Sequence, residues 1–324
     1  MRFKEMIDTV DTHTGGEPTR IVLSGIPRLH GDSVREKRDY FKEHYDYIRE
    51  RLCLEPRGHS GMLCAALCPP SDPSADFGIF YFDDVQYLDM CGHATIGLGT
   101  ALQEIGLVPP EHRDKFVIET PAGLVTIRNN FIDDRVESTT IRNVNSYVIE
   151  NEVIIDVLDV KNVPVNLAYG GNVFAIIPAE MFGVKIVPSE IRTIMKYSAE
   201  VRRVFRERGI EVTLVQWYAK PKFETSDLRV VHSSGYGSPD RSPGGTGTSA
   251  KVAWLCANGL LEVGGEFVHE GIVDAPFIGK AIEKVRNGDR DEYVTEITAQ
   301  ARITGFHKFV FDENDQLVNG FFFD

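Results

Sequence analysis

Cys91 is the residue whose neighbours best equip it for chemistry. It opens the stretch Cys91-Gly92-His93-Ala94-Thr95-Ile96-Gly97-Leu98-Gly99-Thr100-Ala101-Leu102-Gln103-Glu104-Ile105-Gly106. Leu98, Leu102 and Ile105 recur at helical spacing and no charge precedes Glu104, the pattern of a helix buried all round. Gly97 and Gly99 each cost about 1 kcal/mol against alanine in a helix, which points to close packing against another backbone. Gly106 is placed as the C-terminal stop. Cys91 therefore stands at the N-terminus of a buried helix, where outward N–H groups and the helix dipole favour a thiolate and bind anions. Gly92 would let a substrate approach, and His93 is adjacent. The competing reading is an inert buried cysteine beside a helix, and local composition leaves the two about even.

The elements that position this thiol recur. Gly244-Gly245-Thr246-Gly247-Thr248-Ser249-Ala250-Lys251-Val252-Ala253-Trp254-Leu255-Cys256-Ala257-Asn258-Gly259-Leu260 repeats the pattern at a shift of 153, aligning Gly92 with Gly245, Thr95 with Thr248, Leu102 with Leu255 and Gly106 with Gly259. That shift is close to half of 324 residues, as a two-fold duplication requires. It also aligns Cys91 with Gly244, so a thiol at one helix start faces no side chain at the other. Gly245 to Ala250 fits G-x-G-x-x-A, but Asp240-Arg241-Ser242-Pro243 precedes it where a dinucleotide fold needs a strand. A carboxylate on the helix N–H groups is the better reading.

Elsewhere, Asp11-Thr12-His13-Thr14-Gly15-Gly16-Glu17-Pro18-Thr19-Arg20 reads as a polar loop or hairpin connection between strands at 6–10 and 21–24. Residues 33–52 read as an amphipathic surface helix. Glu55-Pro56-Arg57-Gly58-His59 reads as a turn, with an ion pair and a satisfied histidine, beside an apolar strand. Cys64 and Cys68, four apart, would share a helix face, but they lack further soft ligands. Strands are expected through 116–155, around a turn at Gly170-Gly171-Asn172, at 212–218, 227–231, 267–273, 293–302 and 308–311, with a helix over 187–209. The irregular alternation argues α+β.

A length of 324 residues favours two domains. The net charge of −13, without a basic run, argues against nucleic acid and anionic membrane. No apolar run nears the ~18 residues of a membrane span, and residues 1–6 lack a signal-peptide core. Five cysteines without close pairing imply thiols in a reducing cytoplasm. No G-x-S-x-G, H-E-x-x-H or paired metal cluster appears, so serine nucleophiles and metal catalysis lack support.

The segments Asp11–Glu17, Glu55–His59, Met90-Cys91-Gly92-His93 and Asp240–Thr248 together resemble the proline racemase family, with the likeness running on to Ile303-Thr304-Gly305-Phe306. That family holds proline racemases, 4-hydroxyproline 2-epimerases and trans-3-hydroxy-L-proline dehydratases. The resemblance implies the α+β fold of diaminopimelate epimerase, two similar halves each wrapping antiparallel strands around a buried helix, with the active site in the cleft. The halves expected are 1–143 plus 304–324, carrying Cys91, and 144–303, carrying Gly244. It further implies a cytoplasmic homodimer, no cofactor, no metal and an imino-acid substrate. The carboxylate would lie on the amides of Gly92, His93, Gly245 and Thr246, and Asp240 would bind the ring amine. Cys91 would be one of two bases. The second matches Gly244, which carries no proton, and family dehydratases usually have threonine there. Leu63 and Ser234 replace phenylalanines of the proline pocket and make room for a hydroxyl. The implied reaction is one-base dehydration of trans-3-hydroxy-L-proline, with His93 or a water as candidate acid. The alternatives are a 4-hydroxyproline epimerase or proline racemase, with water beside Gly244 returning the proton, and a non-catalytic amino-acid binder.

Overall fold

The computed structural model describes residues 3–236 and 238–322. The chain forms two compact units, one of Met1–Thr14, Pro18–Thr139 and Gln300–Asp324, the other of Gly15–Glu17 and Thr140–Ala299. Both changes of unit fall a few residues earlier than the sequence placed them, and the turn at 15–17 groups with the second unit.

In chain order the first unit contains β1 (Phe3–Thr14), β2 (Glu17–Ser24), α1 (Val34–Cys53), β3 (Leu63–Cys68), β4 (Phe77–Phe82), β5 (Tyr87–Leu88), α2 (Gly92–Glu104), β6 (Lys115–Thr120), β7 (Gly123–Ile132) and β8 (Arg135–Arg142). The second contains β9 (Tyr147–Val157), β10 (Val160–Tyr169), β11 (Val173–Pro178), α3 (Ile191–Glu207), β12 (Leu214–Ala219), β13 (Leu228–Ser233), α4 (Gly245–Ala257), β14 (Glu266–Gly271), β15 (Pro276–Asn287) and β16 (Arg290–Ala299). β17 (Ala301–Asp312) returns to pair antiparallel with β1. This is the α+β, diaminopimelate-epimerase-like class.

The two units repeat one pairing scheme. β2–β3 is parallel, β3–β4 antiparallel, β4–β6 parallel and β6–β7 antiparallel. β11–β12, β12–β13, β13–β14 and β14–β15 follow the same senses in the same order. The repetition extends to side chains, at a shift of 151. Glu119 on β6 accepts from the backbone N–H groups of Ser71 and Asp72, and Glu270 on β14 from those of Lys222 and Phe223. Asp76 accepts from the Val117 N–H, and Asp227 from the Val268 N–H. Burial raises the Glu119 pKa, but its backbone donors and Lys37 outweigh that and hold it below the ordinary carboxylate value.

Each unit packs strands on one apolar helix. A Cβ on Gly97 of α2 would stand 2.6 Å from Thr12 Oγ1, and one on Gly99 2.7 Å from Ile127. The interior glycines thus mark a close approach, but by side chains of the surrounding strands rather than by the backbone expected. Gly106 and Gly259, with φ of +74° and +68°, end α2 and α4. On α1, Ser33 caps the Glu36 N–H at 3.2 Å, while Phe41 stacks on Phe82 and meets Phe80 at a tilt.

Three expectations change. Residues 11–20 take the hairpin form of the two expected rather than the loop, and the strands reach further: β1 and β2 continue through them, joined only by Gly15-Gly16 at φ +58° and +90°, a two-residue turn that glycine permits. Alternating burial of Thr12 and Thr14 drives this, since their inward side chains meet α2. Cys64 and Cys68 lie on strand β3 rather than a helix, with Cys64 Sγ 3.5 Å from Cys53 Sγ. β15 was not anticipated; its Gly279 weakens the strand signal because Thr248 and Val252 of α4 crowd it.

Candidate active site

Cys91 is the N-cap of α2, extended at φ −137°, and is 5% exposed. The helix geometry that follows from its carbonyl accepting the Thr95 N–H at 3.0 Å turns the first N–H groups outward, a site for an anion. Its sulfur lies 3.4 Å from His93 Nδ1 and 3.7 Å from Nε2. The Thr14 hydroxyl donates to the His93 carbonyl at 2.9 Å, fixing the first turn to β1. Thr95 Oγ1 donates to the Cys91 carbonyl at 2.7 Å and meets Tyr81 Oη at 2.7 Å. The thiol thus has an imidazole beside it and a framework that holds its backbone.

The second helix start keeps the scaffold and loses the reactive group. Gly244 is the N-cap of α4 and its carbonyl accepts the Thr248 N–H at 2.8 Å. Its φ is +69°, a conformation that side-chain-bearing residues avoid. A Cβ there would stand 2.6 Å from Cε1 and 2.7 Å from Nδ1 of His232. The imidazole thus crowds the place a Cβ of residue 244 would take. A Cβ on Gly247 would likewise overlap His232 Nε2, so the ring rests on two glycines of the first turn.

The loop between β13 and α4 carries Asp240. Its Oδ1 accepts from the Ser242 N–H at 2.9 Å and hydroxyl at 2.8 Å, while Oδ2 is 3.3 Å from the Gly244 side-chain position. Glu17 anchors the same loop, accepting from the Arg241 N–H at 2.6 Å and its guanidinium at 3.2 Å. Burial, then the charge of Asp240, raises Glu17 to about 8 against the pull of Arg241.

Within the second unit the structure therefore groups Asp240, Gly244, Gly245 and Thr246; within the first it groups Cys91, Gly92 and His93. Leu63 opens β3 opposite Thr19, largely buried. Ser234 is turned onto its own loop, its hydroxyl donating to the Tyr236 carbonyl at 2.7 Å. In the 55–59 turn, Arg57 donates to the Val318 carbonyl rather than pairing within the turn, and His59 contacts the Ser60 carbonyl. Sequence reasoning missed His232, Gln216 and Tyr81. The available signal was a histidine directly after two buried valines in the strand Leu228–Ser233.

The proline racemase family model matches residues 9–322. The chain belongs to the proline racemase family. It is 40% identical to a proline racemase of Clostridioides difficile, over 99% of each chain. It is 35% identical to a trans-3-hydroxy-L-proline dehydratase of Bacillus cereus, again over 99% of each. A crystal structure of a hydroxyproline epimerase from Agrobacterium vitis, with bound trans-4-hydroxy-L-proline, superposes with a TM-score of 0.92 at 27% identity, covering 100% of this chain and 96% of that one. Family relatives are thus enzymes of both isomerase and lyase type. No described helix is long and apolar enough to cross a membrane, and no group of three or more His, Cys, Asp or Glu among the described residues is placed to hold a metal.

Proposed function

We propose that this chain dehydrates trans-3-hydroxy-L-proline with Cys91 as its single base. Relatives bearing the racemase, epimerase and dehydratase names fit the chain about equally, so the decision rests on one observation. Gly244 stands where a second thiol would be needed, with no side chain and with its side-chain volume filled. In this substrate the α-hydrogen and the 3-hydroxyl lie on the same ring face, both trans to the carboxylate. Cys91 as thiolate takes the α-proton, the electron pair forms the C2=C3 bond, and the C3–O bond breaks. The thiol so formed, or His93 3.4 Å away, gives the proton to the departing hydroxide, which leaves as water. The enamine then tautomerises to a pyrroline carboxylate. A second base on the other face has no part in this sequence.

The substrate carboxylate is assigned to the amides of Gly92, His93, Gly245 and Thr246, which stabilise charge as it spreads from Cα. Asp240 is assigned to the ring amine, and Leu63 and Ser234 to the pocket wall. The test is incubation with trans-3-hydroxy-L-proline. A pyrroline product that disappears in the Cys91→Ser variant supports the proposal, and turnover of 4-hydroxyproline epimers without any pyrroline overturns it.

A further inference from the structure

His232 has no role in that sequence, yet it holds the place the missing side chain would take. Its ring is 1% exposed, lies against Gly244 and Gly247, and meets Phe174 edge-on with centroids 5.3 Å apart. Gln216 fixes its state. One amide nitrogen of Gln216 lies 3.0 Å from the Gly247 carbonyl, which only accepts, and 2.9 Å from His232 Nε2. The nitrogen must therefore donate to both, so His232 Nε2 accepts and the ring hydrogen is on Nδ1. In this tautomer the Nε2 lone pair is engaged by the Gln216 amide. Forming the imidazolium would need a hydrogen on Nε2, where the Gln216 hydrogens already point.

We infer that His232 is a specificity plug: its imidazole fills the side-chain volume of residue 244 and closes the second proton path, so that the carbanion made by Cys91 eliminates hydroxide instead of being reprotonated with inversion. The inference rests on the dehydratase reading, and it explains why Gly244 and Gly247 are both glycine. A thiol at 244 and an imidazole at 232 exclude each other sterically. The pair His232/Gly244, rather than the loss of a thiol alone, then separates this chain from two-thiol relatives.

The experiment measures α-deuterium uptake and chirality of trans-4-hydroxy-L-proline in D₂O, with pyrroline formation from trans-3-hydroxy-L-proline in parallel. The unaltered chain should take up deuterium with retention only. The double variant His232→Ala/Gly244→Cys should gain inversion by roughly 10²-fold or more over that background, the size of a positioned acid–base contribution. His232→Asn, which keeps a partner for Gln216 while admitting water, should gain inversion by about tenfold and covers failure of the double variant to fold. Inversion by the unaltered chain that His232→Gln abolishes would overturn the plug and make His232 an acid. Folded variants that dehydrate but never invert would overturn it while leaving the dehydratase reading intact. Variants that invert, from a parent that makes no pyrroline, would support the plug and remove that reading. Silence from the parent and all variants would remove both.

Discussion

α2 and α4 begin alike and end alike, and they differ in what the strand below presents to the first turn. At α2 the strand residue is Tyr81, whose hydroxyl meets Thr95 at 2.7 Å and leaves the N-cap to a cysteine side chain. At α4 it is His232, which lies against Gly244 and Gly247 and leaves the N-cap no side chain. Tyr81 and His232 are equivalent by register: Ala65 pairs with Tyr81 as Gln216 pairs with His232, both at a shift of 151. The helix-start threonines keep parallel duties, Thr95 toward Tyr81 and Thr248 toward His269 Nδ1 at 3.0 Å. One scaffold thus carries one helix start with a thiol and one without a side chain, and the strand residue below differs between them, Tyr81 in one and His232 in the other.

Six substitutions break or sharpen this contrast. Cys91→Ser removes the reactive start and should cut turnover by about 10²–10⁴-fold, the range for a positioned proton-transfer group, with the melting temperature nearly unchanged. Initial rates and calorimetry check both halves of that expectation. The duplicated glutamates should respond unequally. Glu270→Ala removes the buried ion-pair partner of Arg229, which keeps Asp274 at 2.8 Å, along with two backbone acceptances, and should cost more than the matching change at Glu119. Glu119→Ala, which loses mainly backbone donors, should cost about 1–3 kcal/mol. Urea melts rank the pair, and equal losses would argue against the buried charge as the source of the difference.

Overpacking tests the floor of each first turn. Gly247→Ala and Gly97→Ala should each destabilise by about 1–3 kcal/mol. Only Gly247→Ala pushes on His232, so only it should also change the ratio of α-deuterium uptake to pyrroline product; Gly97→Ala pushes on Thr12 instead. A further effect is electrostatic. Glu17 keeps its proton in the folded chain up to about pH 8 but loses it near 4.5 when unfolded. Between those values the native state binds more protons, so this group makes stability fall as pH rises through the window. Glu17→Gln should flatten that part of a stability-against-pH curve measured by denaturant titration.

Much of the fold was legible because the two helices announce themselves: apolar all round, glycine inside, glycine at the end, repeated at 153. The duplication gave away Cys91 and Gly244 for the same reason. His232 stayed hidden because the strands repeat at 151, not 153; at the helix shift it aligns with Ile79, an unremarkable core residue, and the two extra residues lie in the loop before α4. The 11–20 stretch was read as a loop because Asp11, His13 and Glu17 are polar, whereas the inward threonines Thr12 and Thr14 carry its strand character by touching α2. A glycine-rich helix start advertises a close neighbour without naming it. For Gly97 the neighbour is Thr12, and for Gly244 it is a histidine twelve residues upstream.

The most direct measurement follows trans-3-hydroxy-L-proline in D₂O by proton NMR, with chiral analysis of the recovered substrate. The account predicts a pyrroline carboxylate product and recovered substrate that keeps its configuration at C2. Recovered substrate inverted at C2, with no pyrroline formed, would contradict it.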